Sequence, residues 1–378
     1  MTGQDGDSGD RRAWGWNPRP EERRPRAGAR RRILIAVSAT VGAALLLGAV
    51  GLAVVYANLN GNIAGVDINA RIGGDRPEDM SNESVDILVL GSDSRSGPND
   101  TYGADGGGAR SDTAMIVHIG ADHDRATVVS VPRDTLVRRP ACTGEDGTRA
   151  PAEPRAMFNE AYQVGGPACT VKTVEALTDV RMDHYVEVDF TGFEELVDTL
   201  GGVPVTLRRD LHDPDSHLHL NAGRHVLDGQ QALALVRTRH AVGNGSDLGR
   251  IQLQHAFLRA LLAESDDIGL FSDPALLYDL ADTATSAVTT DTELDSAADL
   301  LSLAGLLKGV DPGDMQMLTM PVRYAPGDPN RVVPLKGRTD RVWDALREDR
   351  PVPESVTEGS AGARSDGDVV RRSPDRAE

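Results

Sequence analysis

Hydrophobic and polar positions divide the chain into unequal blocks. From Ile33 to Tyr56 no residue is charged and most are aliphatic. As a helix rising about 1.5 Å per residue, such a run exceeds the ~30 Å of a bilayer's hydrocarbon core, which predicts a transmembrane helix over 33–56. A cleaved signal peptide ending near Val55-Tyr56-Ala57 is the alternative. Residues 1–32 carry nine arginines with Gly, Pro and Asp and almost no aliphatic side chains, so they are expected to form a disordered tail. Residues 57–84 are polar and hold Gly61, Gly65, Gly73 and Gly74, which reads as a stalk.

Globular patterning begins at Val85. The β-branched runs Val85–Leu90, Thr113–Ile119 and Thr127–Val131, bounded by Gly, Pro or Asp, predict buried strands. Helical periodicity follows over Met157–Gln163, Thr170–Leu177, Phe193–Leu200, Gly229–Val236, Leu248–Ala263 and Leu294–Leu307, with strands at His184–Val188, Val203–Leu207 and Met315–Val322 between. Asp228 stands where it would cap the helix opening at Gly229. Interleaved strands and helices predict an α/β or α+β sandwich over 85–350 with a mainly buried sheet. Beyond Arg350 the chain returns to Pro, Glu, Ser, Gly, Asp and Arg, so 351–378 is expected to be a second disordered tail.

Charge places these blocks relative to a membrane. Arg26, Arg30, Arg31 and Arg32 abut the apolar run, and the next basic residue is Arg71. The positive-inside rule therefore expects a cytoplasmic N-terminus and an extracellular domain. A formal charge of -18 and a pI near 4.9 argue against a nucleic-acid partner. Only three lysines stand in a basic total of 40, which suggests a GC-rich genome. Two cysteines, Cys142 and Cys169, are too few for a structural zinc site; in an exported domain they read as one disulfide, two buried thiols being the alternative.

Candidate chemistry lies where charged residues follow apolar runs. Asp93 follows the first strand and Asp112 opens the second, with a glycine-rich segment, Gly103 to Gly108, between them. Two carboxylates with water suit Mg²⁺, with Mn²⁺ able to replace it; turn or capping aspartates are the other reading. Arg133 and Asp134 follow the third strand. Arg237 and Arg239, two apart, would point the same way on an extended segment and present two planar forks to phosphate oxygens. Asp247 and Arg250 open the next helix. If these segments converge, they supply what phosphoryl transfer needs: cations for the transferring oxygens and a carboxylate for the nucleophile's proton.

In order along the chain, VDILVLGSDSR, GARSDTAMIVHI, VVSVPRDTLV, FNEAYQVGG, HYVEVDFTGFEELVDTLGGVPV, LDGQQALALVRTRH and SDLGRIQLQ resemble the LytR-CpsA-Psr family of cell-wall glycopolymer ligases. The resemblance implies an α/β/α sandwich around a mixed sheet with an apolar tunnel for a polyprenyl chain. It also implies transfer of a glycopolymer from an undecaprenyl-pyrophosphate carrier to a peptidoglycan hydroxyl, with a phosphodiester formed and lipid monophosphate released. On this reading Asp93 and Asp112 bind Mg²⁺, while Arg110, Arg133, Arg237, Arg239 and Arg250 clamp the pyrophosphate. Asp247 is a candidate base, and Gln252 and Gln254 lie near phosphate and lipid. A regulatory binding module and a polyprenyl-pyrophosphate hydrolase are the competing functions. The composition fits an actinobacterial origin.

Overall fold

The computed structural model describes residues 27–74, 76–80, 83–92, 111–144, 147–239, 247–267, 274–307, 309–311, 315–361 and 370–372; the side chains of 27–44, 111–112, 265–267 and 370–372 lie outside that set. The chain forms two units, 1–54 and 55–378. Most of α1 (Ala27–Asn62) belongs to the first. Its stretch Leu45–Asn62 is long and apolar enough to cross a membrane. The helix runs past the expected end at Tyr56 because Asn58 and Asn62 both donate to Asp282.

The expected stalk is folded. It contributes β1 (Ala64–Val66) and α2 (Ile68–Ile72), and Ile68 and Ile72 enter the main core. β2 (Val85–Ser92), β3 (Ser111–Ile119) and β4 (Ala126–Ser130) form the antiparallel centre of the sheet. Next, β5 (Leu136–Arg139) pairs with β8 (Glu153–Met157), and β6 (Cys142–Thr143) pairs with β7 (Arg149–Ala150).

The two helices read from the sequence over Met157–Gln163 and Thr170–Leu177 are found as two helical segments that meet at a kink within α3 (Glu160–Thr178). Its kink is Gly165-Gly166-Pro167, where the glycines leave helical φ/ψ and Gly166 takes φ 61°. A Cβ on Gly165 would stand 2.7 Å from Cys169 Cβ. The missing side chain makes room for the Cys142–Cys169 disulfide that ties β6 to α3.

β9 (His184–Asp189) leads into α4 (Phe190–Thr199), and β10 (Val203–Leu207) into β11 (Leu211–Asp213), β12 (Leu218–Leu220) and β13 (Gly223–Leu227). α5 (Gly229–Arg237) opens on the expected cap, with Asp228 and Gln231 forming a reciprocal capping box. α6 (Asp247–Asp267), α7 (Pro274–Ala287), β14 (Val288–Asp291) and α8 (Ala297–Leu307) follow. β15 (Gln316–Thr319) and β16 (Val322–Ala325) divide the single strand expected over Met315–Val322, since Pro321 lacks a ladder donor. β17 (Asp328–Pro334) and α9 (Lys336–Arg347) complete the domain. The expected C-terminal tail is structured where described: Val352 and Val356 are buried in the main core, and β18 (Val370–Arg372) pairs with β10.

The central sheet is mixed, in the order β1-β14-β9-β2-β3-β4-β15. Strand alternation sends Leu88, Leu90, Ala114 and Ile116 to one face, where they pack with Val171 and Val174 of α3 and with Trp343 and Leu346 of α9. Val89, Met115 and Val117 face the other way, toward α4, α5 and α6. A second core, including Val197, Leu207, Leu235 and Phe257, joins those helices to β10. Helices thus cover both faces of a mixed sheet, giving an α/β/α arrangement.

Candidate active site

Beyond β4 the chain turns sharply: Thr135 donates its N–H to Pro132 O at 3.0 Å and its hydroxyl to the same oxygen at 2.6 Å. This turn carries Arg133 and Asp134 past the end of the sheet. The first turn of α6 meets it there. Asp247 accepts the Arg133 backbone N–H at 3.1 Å, lies 3.8 Å from Arg133 Nε, and forms an ion pair with Arg250 one turn along the helix. Arg250 is 2% exposed, so Asp247 contributes compensation that water does not provide there.

Arg237 and Arg239 do not point together. Arg237 still belongs to α5, and its guanidinium stacks on Phe190 at 4.5 Å. Thr238 then turns to extended backbone at φ -61°, ψ 139°. The Thr238 hydroxyl and the Arg239 N–H, at 3.1 Å, both donate to the carboxylate of Asp213, which is 1% exposed. Gln254 donates to Thr113 Oγ1 at 2.9 Å and to Val236 O at 3.0 Å, joining α6 to β3 and the end of α5.

Two cavities border this cluster. One, about 350 Å³, lies against the sheet and is walled by Val89, Met115, Phe193, Leu233, Phe257 and Leu261, with Arg237, Arg250 and Gln254 among its few polar groups. The other, about 580 Å³, is polar and holds Arg133, Asp134, Asn159, Glu160, Gln163, Arg239, Asp247, Tyr324 and Arg331. α6 serves both: Asp247 and Leu248 face the polar cavity, and the helix from Arg250 onward faces the apolar one. Burial pushes the Asp134 carboxyl up from its ordinary range, against Arg133, Arg331 and Arg239, with Asp247 adding to the rise. His255 of α6, 2.8 Å from the Ser130 hydroxyl at the end of β4, is brought down to about 4 by burial, with a smaller contribution from Arg259.

Residues 55–348 match the LytR_cpsA_psr family. The chain belongs to this family. It is 32% identical over 290 residues to the cell wall biosynthesis protein LcpA of Corynebacterium glutamicum, covering 68% of this chain and 54% of LcpA. The chain thus spans about half the length of that relative. It is 35% identical over 239 residues to the polyisoprenyl-teichoic acid–peptidoglycan teichoic acid transferase TagT of Bacillus subtilis, covering 62% of this chain and 68% of TagT. The solved structure of TagT bound to LIIa-WTA superposes with a TM-score of 0.54 at 26% identity, over 75% of this chain and 98% of that one.

Of the residues selected from the sequence of this LytR-CpsA-Psr protein, Arg133, Arg237, Arg239, Asp247, Arg250 and Gln254 gather at the two cavities. Gln252, half-buried on α6, lines neither. Asp93, Arg110 and the Asp112 side chain lie outside the described residues. The described part of the β2–β3 ladder ends with Ser92 opposite Ser111. Among the described residues no three His, Cys, Asp or Glu side chains gather as a metal site.

Several site residues escaped the sequence reading. Asp189, opposite Ser92 in the β2–β9 ladder, caps α4 by accepting the Gly192 N–H and lines the apolar cavity. Asp213 gave no signal, because its partner Thr238 follows it by 25 residues, beyond β12, β13 and α5. Asn159, Glu160 and Gln163 sat inside the FNEAYQVGG block, and the block's family character was their only mark.

Proposed function

We propose that this protein transfers a glycosyl phosphate from a polyprenyl-pyrophosphate carrier to a hydroxyl of peptidoglycan. The supporting observation is the cationic wall of Arg133, Arg237 and Arg250, braced by Asp247, between an apolar cavity and a polar one. A polyprenyl chain loses unfavourable contact with water in the apolar cavity, while its pyrophosphate meets the guanidiniums at the boundary. Charge that accumulates on the phosphoryl oxygens during transfer is then stabilised by cations already fixed through stacking on Phe190 and pairing with Asp247. A divalent ion held by Asp93 and Asp112 would supply further positive charge to the same oxygens when bound. Asp213 fixes the turn between the two arginines, and Gln254 ties the wall to the sheet.

The homology to TagT and LcpA supports the same chemistry in a cell-envelope setting, with the apolar α1 as a single-pass anchor. The arginines flanking its N-terminal side favour a cytoplasmic N-terminus and an external catalytic unit. The full chain in detergent, given a synthetic polyprenyl-pyrophosphate saccharide, peptidoglycan and Mg²⁺, is expected to form a phosphodiester-linked product. Arg250→Ala removes one preorganised cation and is expected to cost roughly 10²–10³ in rate. Release of free saccharide phosphate in place of the linked product would identify a hydrolase and overturn the assignment.

A further inference from the structure

We infer that the polar cavity is the acceptor subsite, where a sugar ring of the acceptor glycan sits and Asp134 takes the proton of its attacking hydroxyl. This rests on the transferase function proposed above and adds to it a place and a base. In-line displacement at phosphorus puts the entering oxygen opposite the leaving oxygen. The leaving group is the lipid phosphate, whose chain belongs in the apolar cavity, so the nucleophile enters from the far side of the arginine wall. That side is the polar cavity, reached through the first turn of α6.

Its lining suits a carbohydrate. The Tyr324 ring offers a flat apolar surface to the C–H face of a sugar, and planar polar groups on Asn159, Gln163, Asn330 and Arg331 surround it. Asn159 Oδ1 is buried with no hydrogen-bond partner, an acceptor that a ligand hydroxyl would satisfy. At about 580 Å³ the space exceeds what a phosphate needs.

Asp134 and Asp247, the two carboxylates beside the arginines, face this cavity, and their surroundings separate their roles. Asp247 is committed to Arg250 and to the Arg133 N–H. Asp134 meets Arg133 and Arg331 at 3.8 Å each, longer than a hydrogen bond, which leaves its oxygens accessible to a hydroxyl. Arg133, Arg331, Arg239 and Asp247 are the charged groups that act on it, and Glu160 stands in the same wall. Burial makes Asp134 a better proton acceptor than an exposed aspartate. In the step itself the acceptor oxygen bonds to the sugar-proximal phosphorus and the bond from that phosphorus to the bridging oxygen breaks. The bridging oxygen leaves on the lipid monophosphate, and the hydroxyl proton passes to Asp134 and from there to solvent.

The test uses the full chain in detergent with a synthetic polyprenyl-pyrophosphate disaccharide as donor and a short peptidoglycan glycan as acceptor. Asp134→Asn is expected to lower kcat by roughly 10²–10⁴, the usual contribution of a positioned base, with donor KM unchanged and the acid limb of the pH profile abolished. Tyr324→Ala is expected to raise acceptor KM about tenfold, the loss of roughly 1.4 kcal/mol of stacking, with donor KM unchanged. Glu160→Gln is expected to keep the acid limb. An Asp134→Asn enzyme that retains that limb, a Glu160→Gln enzyme that loses it, or a Tyr324→Ala enzyme altered only in donor KM would each overturn the subsite. Transfer by the unaltered chain separates the two levels: its absence defeats the proposed function, whereas normal transfer with insensitive variants defeats only the subsite.

Discussion

His255 shows how a single buried group sets a pH limit on the fold. Its folded value near 4 lies below the ordinary 6.5 because burial disfavours the imidazolium, so the neutral ring is the form that fits beside Ser130. As pH falls below about 6.5, the unfolded chain takes up a proton that the folded chain refuses, and stability declines until the folded ring also protonates near 4. Integrated over that window the loss approaches about 3 kcal/mol. Urea unfolding at pH 7.5 and 4.5 is expected to show a smaller pH-dependent loss for His255→Gln than for the unaltered chain; equal losses would remove His255 as the cause. Sequence exposed the arginines and Asp247 at this scale, because charge beside an apolar run is visible in one dimension. It misplaced Arg237 relative to Arg239, since a helix that ends between two residues turns their side chains apart.

At the scale of elements, α4 and α7 cross so closely that Gly192 has no room for a side chain. A Cβ there would stand 2.3 Å from Ala287 Cβ and 2.5 Å from Ala287 Cα. Gly192→Ala is therefore expected to destabilise by about 1–3 kcal/mol through overpacking, read as a lower urea midpoint. Adding Ala287→Gly should recover part of the loss, and an unchanged midpoint in the single variant would show that the helices separate freely. The same crossing sets Phe190 and Phe193 against the apolar cavity, so strain should also disturb the arginine stacked on Phe190. The central strands and α5 were legible because strong periodicity and a capping residue marked them. The β16–β17 hairpin, which carries Tyr324 and Arg331, was hidden in a segment rich in Pro and Gly with little alternation. The polar cavity was consequently only half visible.

Over the whole molecule, composition located the apolar helix and the acidic unit but misjudged both flanks. The segment 57–84 looked like a stalk because its polar residues outnumber Ile68 and Ile72, yet those two isoleucines enter the core, β1 pairs with β14 and Arg76 pairs with Glu175. Of the C-terminal segment, the described stretch 351–361 reaches the same core through Val352 and Val356. For the topology proposed here, protease added to spheroplasts should digest the unit beginning near Val55 and spare a small anchored fragment; full protection of that unit would reverse the orientation. The greasy cavity also bears on kinetics. On the proposed reaction the carrier keeps the same hydrocarbon before and after transfer, so spent carrier and fresh carrier compete for one slot and differ only in their head groups. Where the exchange of one lipid for another is slower than the phosphoryl transfer it sets turnover, and a membrane that clears spent carrier promptly then speeds the enzyme without touching its chemistry.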